Sequence, residues 1–127
     1  MGFQLIAGHP ALDFINTLDW RFGGRDPQEL LNTYADLLRF AEESKLLSAA
    51  QTRRLQPYSR DSSGPLALSK AVELREAIAD VFYALLDERN PPAESRETLE
   101  RNFHTARLRQ TLNWTDSPQL TCAWPTG

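Results

Sequence analysis

Residues 65–86 read PLALSKAVELREAIADVFYALL, and this stretch decides the fold. Pro65 suits a first helical turn, where its missing N–H costs nothing. Ala71, Leu74, Ile78, Val81, Phe82 and Leu85 then recur every three or four residues, which predicts one long helix with a continuous apolar stripe. Asn90-Pro91-Pro92 ends it, because the residue before a proline is pushed out of the helical region. A helix of this length, with apolar residues at this density, is expected to organise the core. Arg75 sits in its middle, close to the stripe. Arginine is almost never buried unless paired, so a carboxylate partner is expected, either Asp13 or Asp19.

On the N-terminal side, Phe3 to Ile6 alternates weakly and reads as a short strand. A first helix starts at Pro10, carries Ala11, Leu12, Phe14, Ile15 and Leu18 on an apolar face, and stops at Gly23-Gly24. Asp26-Pro27-Gln28-Glu29 has the form of an N-cap aspartate, a first-turn proline and a third-position glutamate, predicting a second helix through Leu30, Leu31, Tyr34, Leu37, Leu38 and Ala41. Ser48-Ala49-Ala50-Gln51 repeats that logic for a short third helix ending near Leu55. The polar, turn-rich run 56–64 is a surface connection.

On the C-terminal side, a fifth helix follows Pro92, with Glu94, Glu97 and Glu100 early and Arg107 and Arg109 late, the order that complements the helix dipole. It is expected on the surface. The period then changes to two: Leu112 and Trp114, then Leu120, Cys122 and Trp124, alternate across an Asp116-Ser117-Pro118 turn, which reads as a β-hairpin with both tryptophans on one face. The expected fold is α+β and mostly helical, about five helices with a small antiparallel sheet made by this C-terminal hairpin, which the N-terminal strand at 3–6 can join.

Composition narrows the function. The 127 residues are 41% hydrophobic, enough for a single domain over 1–127 with one core. The 14 basic and 17 acidic residues are spread evenly, so neither half is a basic nucleic-acid module. A single cysteine, Cys122, excludes an internal disulfide and offers no paired thiolates for structural zinc. There is no signal-peptide pattern and no apolar run approaching the roughly 18 to 20 residues that cross a bilayer. A cytoplasmic protein with no membrane contact is expected.

The segment 8–21, GHPALDFINTLDWR, is the unusual one. On the expected first helix, His9, Asp13, Asn16, Thr17 and Trp20 share one side, three and four residues apart, while the apolar residues take another. A carboxylate, an amide, a hydroxyl and an indole on one flank can orient a small polar ligand, and with Arg75 they form the candidate ligand-binding set. The competing reading is structural: the same groups cap the helix and bridge neighbouring elements, as buried polar atoms must. His9 and Asp13 have the spacing of a metal pair but lack a third ligand, so no metal site is assigned.

Several motifs together resemble a known family. The run Ala11-Leu-Asp-Phe-Ile-Asn-Thr17 within 8–21, then Tyr34-Ala-Asp-Leu-Leu-Arg-Phe-Ala41, Leu46-Leu47-Ser48 and Leu74-Arg-Glu-Ala-Ile78, is similar to the ABATE domain, the N-terminal part of the CGNR zinc-finger proteins. The resemblance covers most of the chain; its first motif is distinctive and its last is common to many helices. It implies a stress-induced bacterial transcription regulator whose N-terminal domain senses or regulates, followed by a four-cysteine finger that binds zinc and DNA. That finger is absent from these residues. No cofactor is therefore expected in this chain, with zinc confined to the missing finger and DNA contacted only through it.

Three other readings compete with this one. Leu37 to Leu55, with Lys45-Leu46-Leu47 as the turn and Arg53 and Arg54 on the second helix, has the parts of a helix-turn-helix, although Glu42 and Glu43 would face phosphates unfavourably. An enzyme would need positioned nucleophiles or a phosphate or dinucleotide loop; none is present, and no catalytic residue is assigned. An interaction or dimerisation module, using the Trp114 and Trp124 face to form a homodimer, is the alternative to ligand sensing.

Overall fold

The long helix α4 runs Ser63–Leu86, 24 residues. The structure, a computed structural model, describes residues 9–19, 21–23, 25–114 and 120–123, with 111–114 and 120–123 described by backbone alone. The order is α1 (Pro10–Ile15), β1 (Leu18–Asp19), β2 (Gln28–Glu29), α2 (Tyr34–Glu43), α3 (Ala49–Leu55), a 3₁₀ turn (Gln56–Arg60), α4, α5 (Ala93–Leu108), β3 (Thr111–Trp114) and β4 (Leu120–Ala123). α5 folds back along α4, while α1, α2 and the 3₁₀ turn pack on it as well.

α4 buries small residues where its neighbours approach. Ala77, Ala79 and Ala84 are core positions, whereas Ala71, Leu74, Ile78, Val81 and Phe82 are half-buried and Leu85 is 63% exposed. The expected continuous stripe is thus spread around a helix covered on several sides. The large core side chains come from elsewhere: Ile15, Leu31, Leu38 and Phe40. α5 lies at the surface, held by Ser95 Oγ donating to Asp80 Oδ2 at 2.7 Å and by an Arg101–Glu73 contact at 3.3 Å.

The first two helices differ from expectation. α1 ends at Ile15 instead of reaching Gly23-Gly24, and residues 18–19 pair antiparallel with 28–29, Leu18 opposite Glu29 and Asp19 opposite Gln28. Asn16 and Thr17 are the stop: Thr17 Oγ1 donates to the Phe14 carbonyl at 2.6 Å, satisfying locally a group that the next turn would have used. Gly23 lies in the β1–β2 connection at φ 132°, a conformation that suits glycine. The small sheet against the helices is therefore N-terminal, formed by segments that periodicity had placed inside helices.

α2 begins at Tyr34, not after Asp26. Its capping box is Thr33 and Asp36, with Thr33 Oγ1 accepting from the Asp36 N–H and Asp36 Oδ2 accepting from the Thr33 and Asn32 N–H groups. The Ser48–Gln51 capping box of α3 is formed as predicted. At the C-terminal end, β3 and β4 pair antiparallel, Thr111 opposite Ala123. The expected strand at 3–6 and the position of Trp124 lie outside the described residues, as does the side chain of Trp114.

Candidate functional site

The 15–31 segment meets α4 through a partly buried charge network centred on Arg75. Arg75 is 2% exposed, and its guanidinium donates from Nη1 to Glu29 Oε1 at 2.6 Å and from Nη2 to Glu29 Oε2 at 2.8 Å. Nη1 also reaches Thr17 Oγ1 at 3.3 Å, and Nε donates to Glu76 Oε2 at 2.7 Å. Glu76 in turn accepts two bonds from Arg21, at 2.7 and 3.0 Å, and Arg21 Nη2 caps the Ile15 carbonyl at 3.0 Å. Two arginines and two carboxylates thus join the end of α1, the small sheet and the middle of α4.

Burial works to lower the Arg75 pKa, but the hydrogen bonds and charges of Glu29 and Glu76 outweigh it and raise it above the ordinary value. Burial likewise works to raise Glu76, and Arg21 and Arg75 outweigh it, holding that carboxyl below the ordinary range. Both groups are therefore charged at neutral pH. The expectation that Arg75 is paired is met, but by Glu29 and Glu76 rather than by Asp13 or Asp19. The sequence places Glu29 in a helix cap; as the residue opposite Leu18 in β2, it is instead carried to α4 by the sheet.

The residues expected to share one flank are separated by the early end of α1. His9 is the exposed N-cap, its Nδ1 accepting from the Ala11 N–H at 3.2 Å. Asp13 is buried at 7% exposure, Asn16 is exposed at the C-cap, and Thr17 is 1% exposed and joined to Arg75. Of the predicted set, the structure brings together Thr17 and Arg75. Trp20 lies outside the described residues. Among the described residues no cluster of three or more His, Cys, Asp or Glu side chains is placed to hold a metal.

Beside α1 the surface opens into a groove of about 310 Å³. Pro10, Ala11 and Phe14 form one wall, and Leu37, Phe40 and Ala41 of α2 form the other. Phe14 and Phe40 stack at 5.6 Å between ring centroids, fixing the depth of the groove where the helices touch. The sequence reading places Ala11, Phe14, Leu37 and Ala41 on apolar helix faces and does not single out Phe40. Their spacing on α2, three and four apart, placed them on one face, but nothing in it showed that the facing helix would be only 6 residues long and leave that face partly open.

A small helical domain, pinned by a charge network and hollowed beside its first helix, is the class this geometry defines. Residues 8–127 match the ABATE family model, described as "Putative stress-induced transcription regulator", and the chain belongs to that family. The description is that of a transcription regulator, not of an enzyme. No curated protein and no solved structure matches the chain. Among the described residues, no helix is long and apolar enough to cross a membrane.

Proposed function

We propose that this chain is the sensing domain of a bacterial, cytoplasmic transcription regulator, acting by binding rather than catalysis, and that its input is a small molecule lodged beside α1. The observation that carries this reading is the groove between α1 and α2, about 310 Å³, the lower end of the size that small-molecule sites occupy. Its walls are almost entirely carbon, so the occupant has an apolar body, where the sequence alone favoured a polar one. α1 is tied through Thr17 to Arg75, so a ligand that displaces α1 works against the network holding it to α4. His9, exposed at the start of the same helix, is available to a polar substituent at the mouth.

Heteronuclear NMR with indole as the probe tests this. Expected are shifts confined to residues 10–14 and 37–46, saturating with a dissociation constant of about 1 mM or tighter, near −4 kcal/mol. Ala41→Leu fills the groove and should abolish those shifts while leaving the thermal midpoint unchanged within about 2 °C. Shifts that are absent, scattered over the chain or insensitive to Ala41→Leu would overturn the proposal.

A further inference from the structure

α2 presents a second face, away from α1. Tyr34, Leu38 and Glu42, each four residues apart, look across a cleft of about 440 Å³ toward α3 and the 3₁₀ turn. Three arginines from three different elements line it: Arg39 of α2, Arg53 of α3 and Arg60 of the 3₁₀ turn. Glu42 is the single carboxylate in that lining. The whole chain carries a net charge of −3, so this hollow is a local reversal of sign.

Three of the surrounding polar side chains are already engaged with the fold. Tyr34 donates its hydroxyl to the Leu55 carbonyl at 2.9 Å, and Thr52, 5% exposed, donates to the Ser48 carbonyl at 2.9 Å. Arg39 is steadied by Asp36 at 3.0 Å, the same carboxylate that caps α2. Arg53 and Arg60 differ: among the described residues neither meets a carboxylate at ion-pair distance. Both are exposed and line the concave space, so their guanidinium donors are available to a ligand there.

We propose that this cleft binds a small polyvalent anion, a phosphate compound or a polycarboxylate, gripped by Arg53 and Arg60 with Arg39 as the third cation. Guanidinium forks match the paired oxygens of both groups, and a concave, low-dielectric wall strengthens the attraction over that of a flat surface. Duplex DNA fits less well. Its phosphates require a convex or open basic face, and Glu42 in the lining and Glu43 beside it would repel a polyanion of that size. The site is on the opposite face of α2 from the groove beside α1, and neither proposal depends on the other.

Calorimetric titration of the chain at low salt with pyrophosphate, with citrate and with mixed-sequence duplex DNA tests the assignment. Saturable one-to-one binding is expected for pyrophosphate or citrate at about 1 mM or tighter, and the tighter of the two names the anion class. The double variant Arg53→Gln/Arg60→Gln should weaken it by about tenfold or more, while Arg54→Gln, on the same helix but outside the cleft, should change it by less than about twofold. Both variants alter exposed side chains, and an unchanged thermal midpoint checks that they fold. No binding of either small anion, an equal loss with Arg54→Gln, or duplex DNA bound more tightly than both through the same arginines would each overturn the proposal.

Discussion

Arg75 and Glu29, 46 residues apart in the chain, are locked by two parallel hydrogen bonds of 2.6 and 2.8 Å, with the arginine side chain 2% exposed and the glutamate 31%. A buried guanidinium in a two-point grip is costly to orphan on either side, because the remaining group keeps its desolvation cost and loses its partner. The pair also sets topology: it holds the β1–β2 sheet against the middle of α4, where Arg75 also meets Thr17, just past the end of α1.

Removing the Arg75 charge should therefore be among the more damaging single changes in the chain. Arg75→Met is expected to lower the urea-unfolding free energy by about 3 kcal/mol. A cycle with Glu29→Gln should reveal coupling of about 1 kcal/mol or more, whereas the corresponding cycle with Asp13→Asn should give coupling within about 0.5 kcal/mol of zero. An Arg75→Met protein as stable as the parent would remove the network from any account of the fold.

Acid should loosen the same network. Glu76 is pushed up by burial but pulled further down by Arg21 and Arg75; Asp36 is pushed up by burial but pulled further down by the Asn32 and Thr33 amides. Carboxyls whose pKa is lower folded than unfolded contribute stability that is fully present above the unfolded value, about 4.3 for glutamate and 3.9 for aspartate, and is lost as pH falls through the folded value. Urea-unfolding midpoints should be level toward neutral pH and decline below about pH 4.5. Glu76→Gln should be less stable at neutral pH and show a shallower acid decline; an acid limb as steep as the parent's would show that Glu76 contributes nothing to it.

The helical signals that proved legible in the sequence were local ones. Ser48 and Gln51 mark the start of α3 because both halves of the capping box are within one turn, and Pro92 marks the start of α5; α4 itself stops earlier than the prolines predict, at Leu86, where Glu88 turns to φ 56° and the Arg89 N–H bonds the Ala84 carbonyl at 2.8 Å. Asp26-Pro27-Gln28-Glu29 carries the same kind of signature and failed, since Glu29 is claimed by Arg75 and the Leu30 N–H by the Thr17 carbonyl at 2.9 Å. Those partners are distant in sequence, and no local pattern contains them. The site followed the same division. That Arg75 needed a carboxylate was readable from its place in an apolar helix; which carboxylate depended on a two-residue strand that periodicity cannot detect. Both clefts arise from how short helices meet α2, a matter of tertiary packing.

Gly64 shows how tightly the arginine-lined cleft is tied to the core. In the first turns of an exposed helix, glycine to alanine ordinarily stabilises by roughly 0.5 to 1 kcal/mol through lost freedom in the unfolded chain. Here a Cβ on Gly64 would stand 2.7 Å from the Tyr58 carbonyl oxygen and 3.1 Å from the Tyr34 ring. The first neighbour is backbone and cannot rotate away, so the 3₁₀ turn that carries Arg60 must move. Gly64→Ala is expected to destabilise by about 1 to 3 kcal/mol in urea unfolding, the range for overpacked sites, while Ser63→Ala, one residue earlier and exposed, should stay within about 0.5 kcal/mol of the parent. A stabilised Gly64→Ala protein would mean that α4 does not approach Tyr58 so closely, and the wall of the cleft between α2 and the 3₁₀ turn would have to be redrawn.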